Sequence, residues 1–176
     1  YDTTRTRESY EQILSAFGNG QADILVGTQM IVKGHDFPDV TLVGIVAADI
    51  SLYASDYRAA ERTFQLLTQA VGRAGRGSKA GEAVIQTYMP EHYSIQTAAK
   101  QDYDAFYEQE ILYRELMGYP PVDEMLGIYL SGKDLEKLES CAEQLAEWIR
   151  NAHVEGLCLI GPADAALARK NDSYRK

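Results

Sequence analysis

The chain has 176 residues, long enough for one or two small domains, and its 45 % apolar and 24 % charged residues are those of a globular protein. No stretch approaches the ~18 consecutive apolar residues of a membrane-spanning helix. The net charge is −9, divided as −2 over residues 1–90 and −7 over residues 91–176, which excludes attraction of nucleic acid over the whole surface. Any nucleic-acid contact must therefore be local, made by backbone amides and a few side chains.

The opening YDTTRTRESYEQ is polar and of mixed charge, so no signal peptide is expected. It lacks an initiator Met, and the expectation is a fragment of a longer protein. TRESYEQILSAF (6–17) sets Tyr10, Ile13, Leu14 and Phe17 on one face and predicts an amphipathic helix, closed by Gly18-Asn19-Gly20. ADILVGT (22–28) is expected to be a short buried strand, and QMIVKGHDFPDV a loop or single turn, since Pro38 forbids helix continuation. TLVGIVAAD reads as a second buried strand, SLYASDYRA as irregular, and ERTFQLLTQAVGRA as a helix with Phe64, Leu67 and Val71 inward. After the turn GSKAG, EAVIQTY is a third strand.

Apolar strands alternating with helices predict a parallel sheet covered by helices on both faces. Ligand loops in such sheets lie beyond the carboxyl ends of strands, which singles out GTQMIVKGHDF and ISLYASDYRA. A tyrosine-rich helical zone then runs from about His92 to Met117, with Tyr103, Phe106, Tyr107, Ile111 and Tyr113 at three- and four-residue steps. It suits helix packing between domains, or stacking of nucleic-acid bases. GYPP (118–121) ends it and marks a boundary. Beyond it, MLGIYLSG and GLCLIG are expected strands on either side of the helix DLEKLESCAEQLAEWIRNA, which Asp134 can cap. Leu135, Leu138, Ala142, Leu145, Trp148 and Ile149 form its expected core face. The organisation is thus an α/β domain over 1–90, a helical linker over 91–118 and the start of an α+β domain over 119–176. Cys141 and Cys158 have no metal-ligand spacing and read as buried thiols in a reducing compartment.

Two segments carry candidate chemistry. GTQMIVKGHDFPD (27–39) has glycines that let backbone amides approach an anion, with Thr28 and Lys33 as donors. It is also compatible with an ordinary glycine loop in which Asp36 makes a turn. His35 has no Ser or Cys partner and is not expected to act as a catalytic base; His92 and His153 look like packing or surface residues. QAVGRAGR (69–76) sets Arg73 and Arg76 three positions apart, on one side of a helical turn, as two forks suited to phosphate. Favourable charge at a helix C-terminus explains one of them. Gly72, Gly75 and Gly77 would cost a helix about 1 kcal/mol each relative to Ala, so a close approach to another surface is expected to offset them.

The order of the two segments resembles the second RecA-like lobe of superfamily 2 helicases. GTQMIVKGHDFPDVTLVGIVAAD is similar to their motif V and QAVGRAGR to their motif VI. DTT near the start, DYRAAERTFQLLTQAVGRAGRG, GEAVIQTYMPEH and ELMGYPP narrow the resemblance to the primosomal replication-restart DNA helicases, from about Asp2 to Tyr174. The strand TLVGIVAAD departs from the family's Asp-Ala-Asp-like ending, keeping Asp49 with Ala at 47.

That resemblance implies a RecA-like parallel sheet with flanking helices, partial, followed by a small α+β module. It implies an ATP-dependent 3′-to-5′ DNA helicase that restarts stalled forks and starts primosome assembly. Arg73 and Arg76 would reach the phosphates of ATP with Mg2+, held mainly by a first lobe outside this chain, and stabilise the phosphoryl-transfer transition state. Gln69, Gly34 and Asp36 would couple the nucleotide site, and Thr28, Gln29, Lys33 and His35 would face DNA. Zinc is implied for the full-length protein through paired CxxC motifs that this chain lacks, so no metal ligand is expected here. The implied partners are forked or single-stranded DNA, other primosome proteins and single-stranded DNA-binding protein, with no membrane and a cytoplasmic location. A RecG-type or repair translocase of the same superfamily, and a non-catalytic interaction module retaining the fold, stand as alternatives. The chain by itself is expected to be inactive.

Overall fold

The computed structural model describes residues 7–28, 37–77, 79–165, 167–170 and 172–176, leaving aside the side chains of Arg7 and Lys170. They form two compact units, Tyr1–Glu124 and Met125–Lys176.

In the first unit α1 spans Arg7–Gly18, with Leu14 buried and Phe17 edge-on to Phe37, ring centroids 5.0 Å apart. Gly20, at φ 72°, turns the chain out of it in the left-handed region open to glycine. The next stretch differs from expectation: residues 22–28 form no strand, and Ile24 and Val26 are exposed. An apolar run becomes a strand only where a neighbour takes its backbone hydrogen bonds, and no described strand pairs with this one.

Two strands do pair. β1 (Leu42–Ile45) and β2 (Glu82–Ile85) are parallel, with Leu42 opposite Glu82 and Ile45 opposite Ile85. Both are shorter than the sequence suggests, because side chains intercept the ladder. Ala47 takes a left-handed φ of 52° and gives its N–H to Gln86 Oε1 at 2.6 Å, after which a 3-10 helix runs from Ala48 to Tyr53. Burial alternates along both strands. One face packs Ile45 and Ile85 onto the core, while Leu42 and Val84 stay exposed on the other. Among the described residues the sheet is therefore covered on one side, where two covered sides were expected.

The crossover between the strands carries α2 (Ala59–Val71), with Phe64 and Leu67 buried as its periodicity requires. α3 (Tyr93–Lys100) and α4 (Tyr103–Met117) pack against α2. Ala48, Phe64, Leu67, Ile95, Ala98 and Phe106 make the core, and the rings of Phe64 and Phe106 stack at 4.2 Å. Of the aromatic residues spaced along α4 only Phe106 is buried; Tyr103, Tyr107 and Tyr113 remain exposed. Asp102 caps α4 through Ala105 N at 3.0 Å, and Gly118 closes it at φ 63°.

The second unit contains β3 (Ser131–Gly132), α5 (Leu135–Asn151), β4 (Arg169–Lys170) and β5 (Ser173–Arg175), in the antiparallel order β3-β5-β4. Asp134 caps α5 as its position suggested, accepting from Lys137 N at 3.2 Å. The face of α5 turned inward is Leu138, Ala142 and Ala146, spaced by four, whereas Leu135 and Trp148 are exposed. The expected strand over 125–132 shrinks to its last two residues, and GLCLIG forms none. The basic tail supplies the pairing instead: Leu130 and Lys176 exchange backbone bonds of 2.8 and 3.0 Å. Lys176 also bridges Asp164 at 3.1 Å and Glu139 at 3.5 Å. Cys141 and Cys158 are exposed, not buried; Cys141 lies off the apolar stripe of α5, and Cys158 lies in the stretch that forms no strand.

Candidate functional site

The arginine segment is not helical throughout. α2 ends at Val71 and Gly72 caps it, its N–H bonding Thr68 O at 3.0 Å. Arg73 N and Ala74 N continue with bonds to Ala70 O and Val71 O at 3.0 and 3.2 Å, and Gly75 then turns at φ 71°. The cost expected for glycines inside a helix therefore does not arise. Gly75 and Gly77 each have a specific reason within the chain. A Cβ on Gly75 would stand 2.5 Å from Gly81 N, and one on Gly81 would collide with Gly75 N. A Cβ on Gly77 would collide with Pro38 O. The close approach that the glycines permit is thus to the protein's own backbone.

This packing sets the position of the arginines. Gly75 N donates to Val40 O at 3.0 Å, just before β1, and Glu82 N donates to Thr41 O at 2.8 Å as β2 begins. The turn is therefore fastened to the amino end of the parallel pair, opposite the end where open sheets ordinarily take ligands. Arg73 is half-buried and Arg76 exposed, and Arg76 Nε donates to Gly72 O at 2.7 Å, which sets the direction of its guanidinium. Gln69 is exposed on the last turn of α2.

Thr28 is exposed, and it is the one described residue of the DNA-facing set. Gln29, Lys33, Gly34, His35 and Asp36 lie outside the described residues. The segment that follows them does reach the arginine turn, through Pro38 against Gly77 and Val40 against Gly75. Asp49, buried, accepts from Tyr88 N at 3.1 Å, which holds its carboxyl below the usual range. Its role here is to tie together the loops at the carboxyl ends of both strands. No group of three His, Cys, Asp or Glu that would hold a metal occurs among the described residues.

One cluster escaped the sequence reading. Arg114, buried on α4, donates to Glu110 at 2.8 Å, to Glu61 on α2 at 2.7 Å and to Pro120 O at 2.8 Å, with its guanidinium carbon 5.4 Å from the centre of the Tyr57 ring. Tyr93 adds a 2.6 Å hydrogen bond to the other oxygen of Glu110, and burial pushes its hydroxyl pKa up. The i, i+4 spacing of Glu110 and Arg114 was the visible signal; the 53-residue separation from Glu61 hid the rest.

The arginine-bearing turn is thus fastened to the segment just ahead of β1. Residues 1–78 match the family model of the helicase conserved C-terminal domain, so this part of the chain has a RecA-like α/β fold. The relatives narrow it further. The chain is 47 % identical over 174 residues, 99 % of its length, to Replication restart protein PriA of Bacillus subtilis (strain 168), and covers 22 % of that protein. It is 41 % identical to Replication restart protein PriA of Synechocystis sp. (strain ATCC 27184 / PCC 6803 / Kazusa), over 99 % of this chain and 21 % of the relative. The protein of that name from Haemophilus influenzae is 38 % identical, with 99 % and 24 % covered. Over nearly its whole length the chain is similar to these PriA proteins, and it spans about a fifth to a quarter of their length. No described helix is long and apolar enough to cross a membrane.

Proposed function

We propose that this chain is part of the second RecA-like lobe, with the start of the following domain, of an ATP-dependent 3′-to-5′ DNA helicase that restarts stalled replication forks and initiates primosome assembly. One observation carries the reading: the arginine turn and the segment that begins at Phe37 converge at the amino end of β1 and β2, through Gly77 on Pro38 and Gly75 N on Val40 O. Arg73 and Arg76 then act as paired guanidinium donors to nucleotide phosphates held by another part of the protein. Two guanidinium groups on a turn bonded to the sheet fit such an anion, since fixed forks offer parallel hydrogen bonds to phosphate oxygens. Bound ATP with Mg2+ supplies the phosphoryl group and the driving free energy. Arg73 and Arg76 contribute positive charge to that site.

Gln69, beside the turn, couples the nucleotide site to the lobe surface, and Gly34 and Asp36 couple it to the DNA side. Thr28, Gln29, Lys33 and His35 contact the DNA backbone. Forked or single-stranded DNA, primosome proteins and single-stranded DNA-binding protein are the proposed partners, in the cytoplasm. The reading assigns zinc to residues outside this chain.

The test is Arg76→Ala in the intact protein. DNA-stimulated ATP hydrolysis falls by about 10³ or more, while DNA affinity stays within a few-fold. Equal loss of both would reduce Arg76 to a folding residue and sink the assignment.

A further inference from the structure

The loops beyond the carboxyl ends of β1 and β2 have no part in the function proposed above. We infer that they form a second nucleic-acid contact: a stacking edge for single-stranded DNA, made by Tyr53 and Tyr88 with Arg58 and Arg62 beside them. The inference rests on the reading of the protein as a DNA translocase and adds a site to it.

Tyr53 is 70 % and Tyr88 83 % exposed. Large aromatic rings so open on fixed backbone are good platforms, because little conformational freedom is left to lose when a base stacks. Their backbone is fixed. Tyr88 N donates to the buried Asp49 carboxylate at 3.1 Å, and Ala48 N donates to Gln86 O at 3.0 Å. Ser51 and Thr63 share a hydroxyl hydrogen bond of 2.7 Å, which ties the 3-10 helix ending at Tyr53 to α2 beside Arg62.

Arg58 and Arg62 present side chains 48 % and 51 % exposed, both steadied by Asp56 at 3.4 and 2.7 Å. Three carboxylates of this edge are held within the chain, Asp49 by Tyr88 N, Asp56 by the two arginines and Glu61 by Arg114, while the exposed Glu91 accepts from Gln96. Rings that accept any base, flanked by guanidinium groups, fit a flexible single strand read without sequence preference. A duplex hides the base faces that such rings need. The edge lies at the opposite end of the strands from the arginine turn, so a strand bound there leaves the phosphate-facing end open.

The experiment uses the intact protein and oligo-dT carrying 5-iodouracil. Photocrosslinks are expected on peptides containing Tyr53 and Tyr88. The double variant Y53A/Y88A weakens oligo-dT binding by at least about tenfold, with an unchanged melting temperature, and Y53F/Y88F binds within twofold of the parent. Binding by Y53A/Y88A equal to the parent overturns the inference, as do crosslinks confined to other peptides. A loss seen only with duplex DNA or with a protein partner overturns it too. Failure of the unsubstituted protein to bind oligo-dT at all overturns the translocase reading and this inference with it.

Discussion

Gly77 rests against the carbonyl oxygen of Pro38, at a separation that admits no Cβ. The contact joins the end of the loop segment to the end of the arginine turn. It makes the segment just ahead of β1 and the arginine turn one mechanical piece.

Gly77→Ala forces that contact apart. Overpacking of this kind costs about 1–3 kcal/mol, which lowers the melting temperature by about 2–12 °C for a chain of this size. In the intact protein, hydrolysis at saturating nucleotide falls more than nucleotide affinity does, because the arginines are displaced and not removed. A Gly77→Ala protein that melts and turns over like the parent would show that the backbone yields there at no cost.

Arg114→Ala leaves Glu110, itself 5 % exposed, as a buried carboxylate without its cation. Removing one partner of such a pair costs about 3–5 kcal/mol. The pair Arg114→Met with Glu110→Gln recovers most of that loss, since the isolated charge is the penalty. Urea melts of the parent and the two variants give the answer, and a single variant as stable as the double one would contradict it.

His92 caps α3, its Nδ1 accepting from Ser94 N at 3.3 Å, and burial depresses its pKa below the ordinary 6.5. An imidazolium there loses the acceptor role and sits at the positive end of a helix. The folded pKa is the lower one, so the unfolded state binds the proton more readily between the two values. Stability contributed by neutral His92 is therefore complete above pH 6.5 and lost as pH falls through 6.5 toward the folded value. His92→Asn keeps a capping acceptor and flattens that part of the stability profile. A profile equally steep in the variant would place the acid sensitivity elsewhere.

Residues 1–176 alone are expected to hydrolyse no ATP above the rate of the same chain with Arg73→Ala and Arg76→Ala. Measurable turnover that depends on the two arginines would mean that this chain holds the nucleotide unaided.

Much of this protein follows from local pattern. The three-to-four-residue spacing of Leu14 with Phe17 and of Phe64 with Leu67 marks two helices, and Asp102 and Asp134 stand where caps are needed. Those features depend on residues within one or two turns, so they are written in order along the chain. The motif order also points to the PriA family, because the motif residues and their sequence order are visible without a structure. Strand extent is another matter. Ile24 and Val26 have the composition of a buried strand and are exposed, while the basic tail through Arg175 pairs. A strand exists only if a distant segment offers its backbone. The reason for GRAGR's glycines was likewise hidden, since Pro38 and Gly81 come from outside the motif. Local sequence determines helices, caps and motif chemistry. Which backbone meets which is decided by long-range packing, and here that packing holds the arginine turn at one end of the sheet and exposes Tyr53 and Tyr88 at the other.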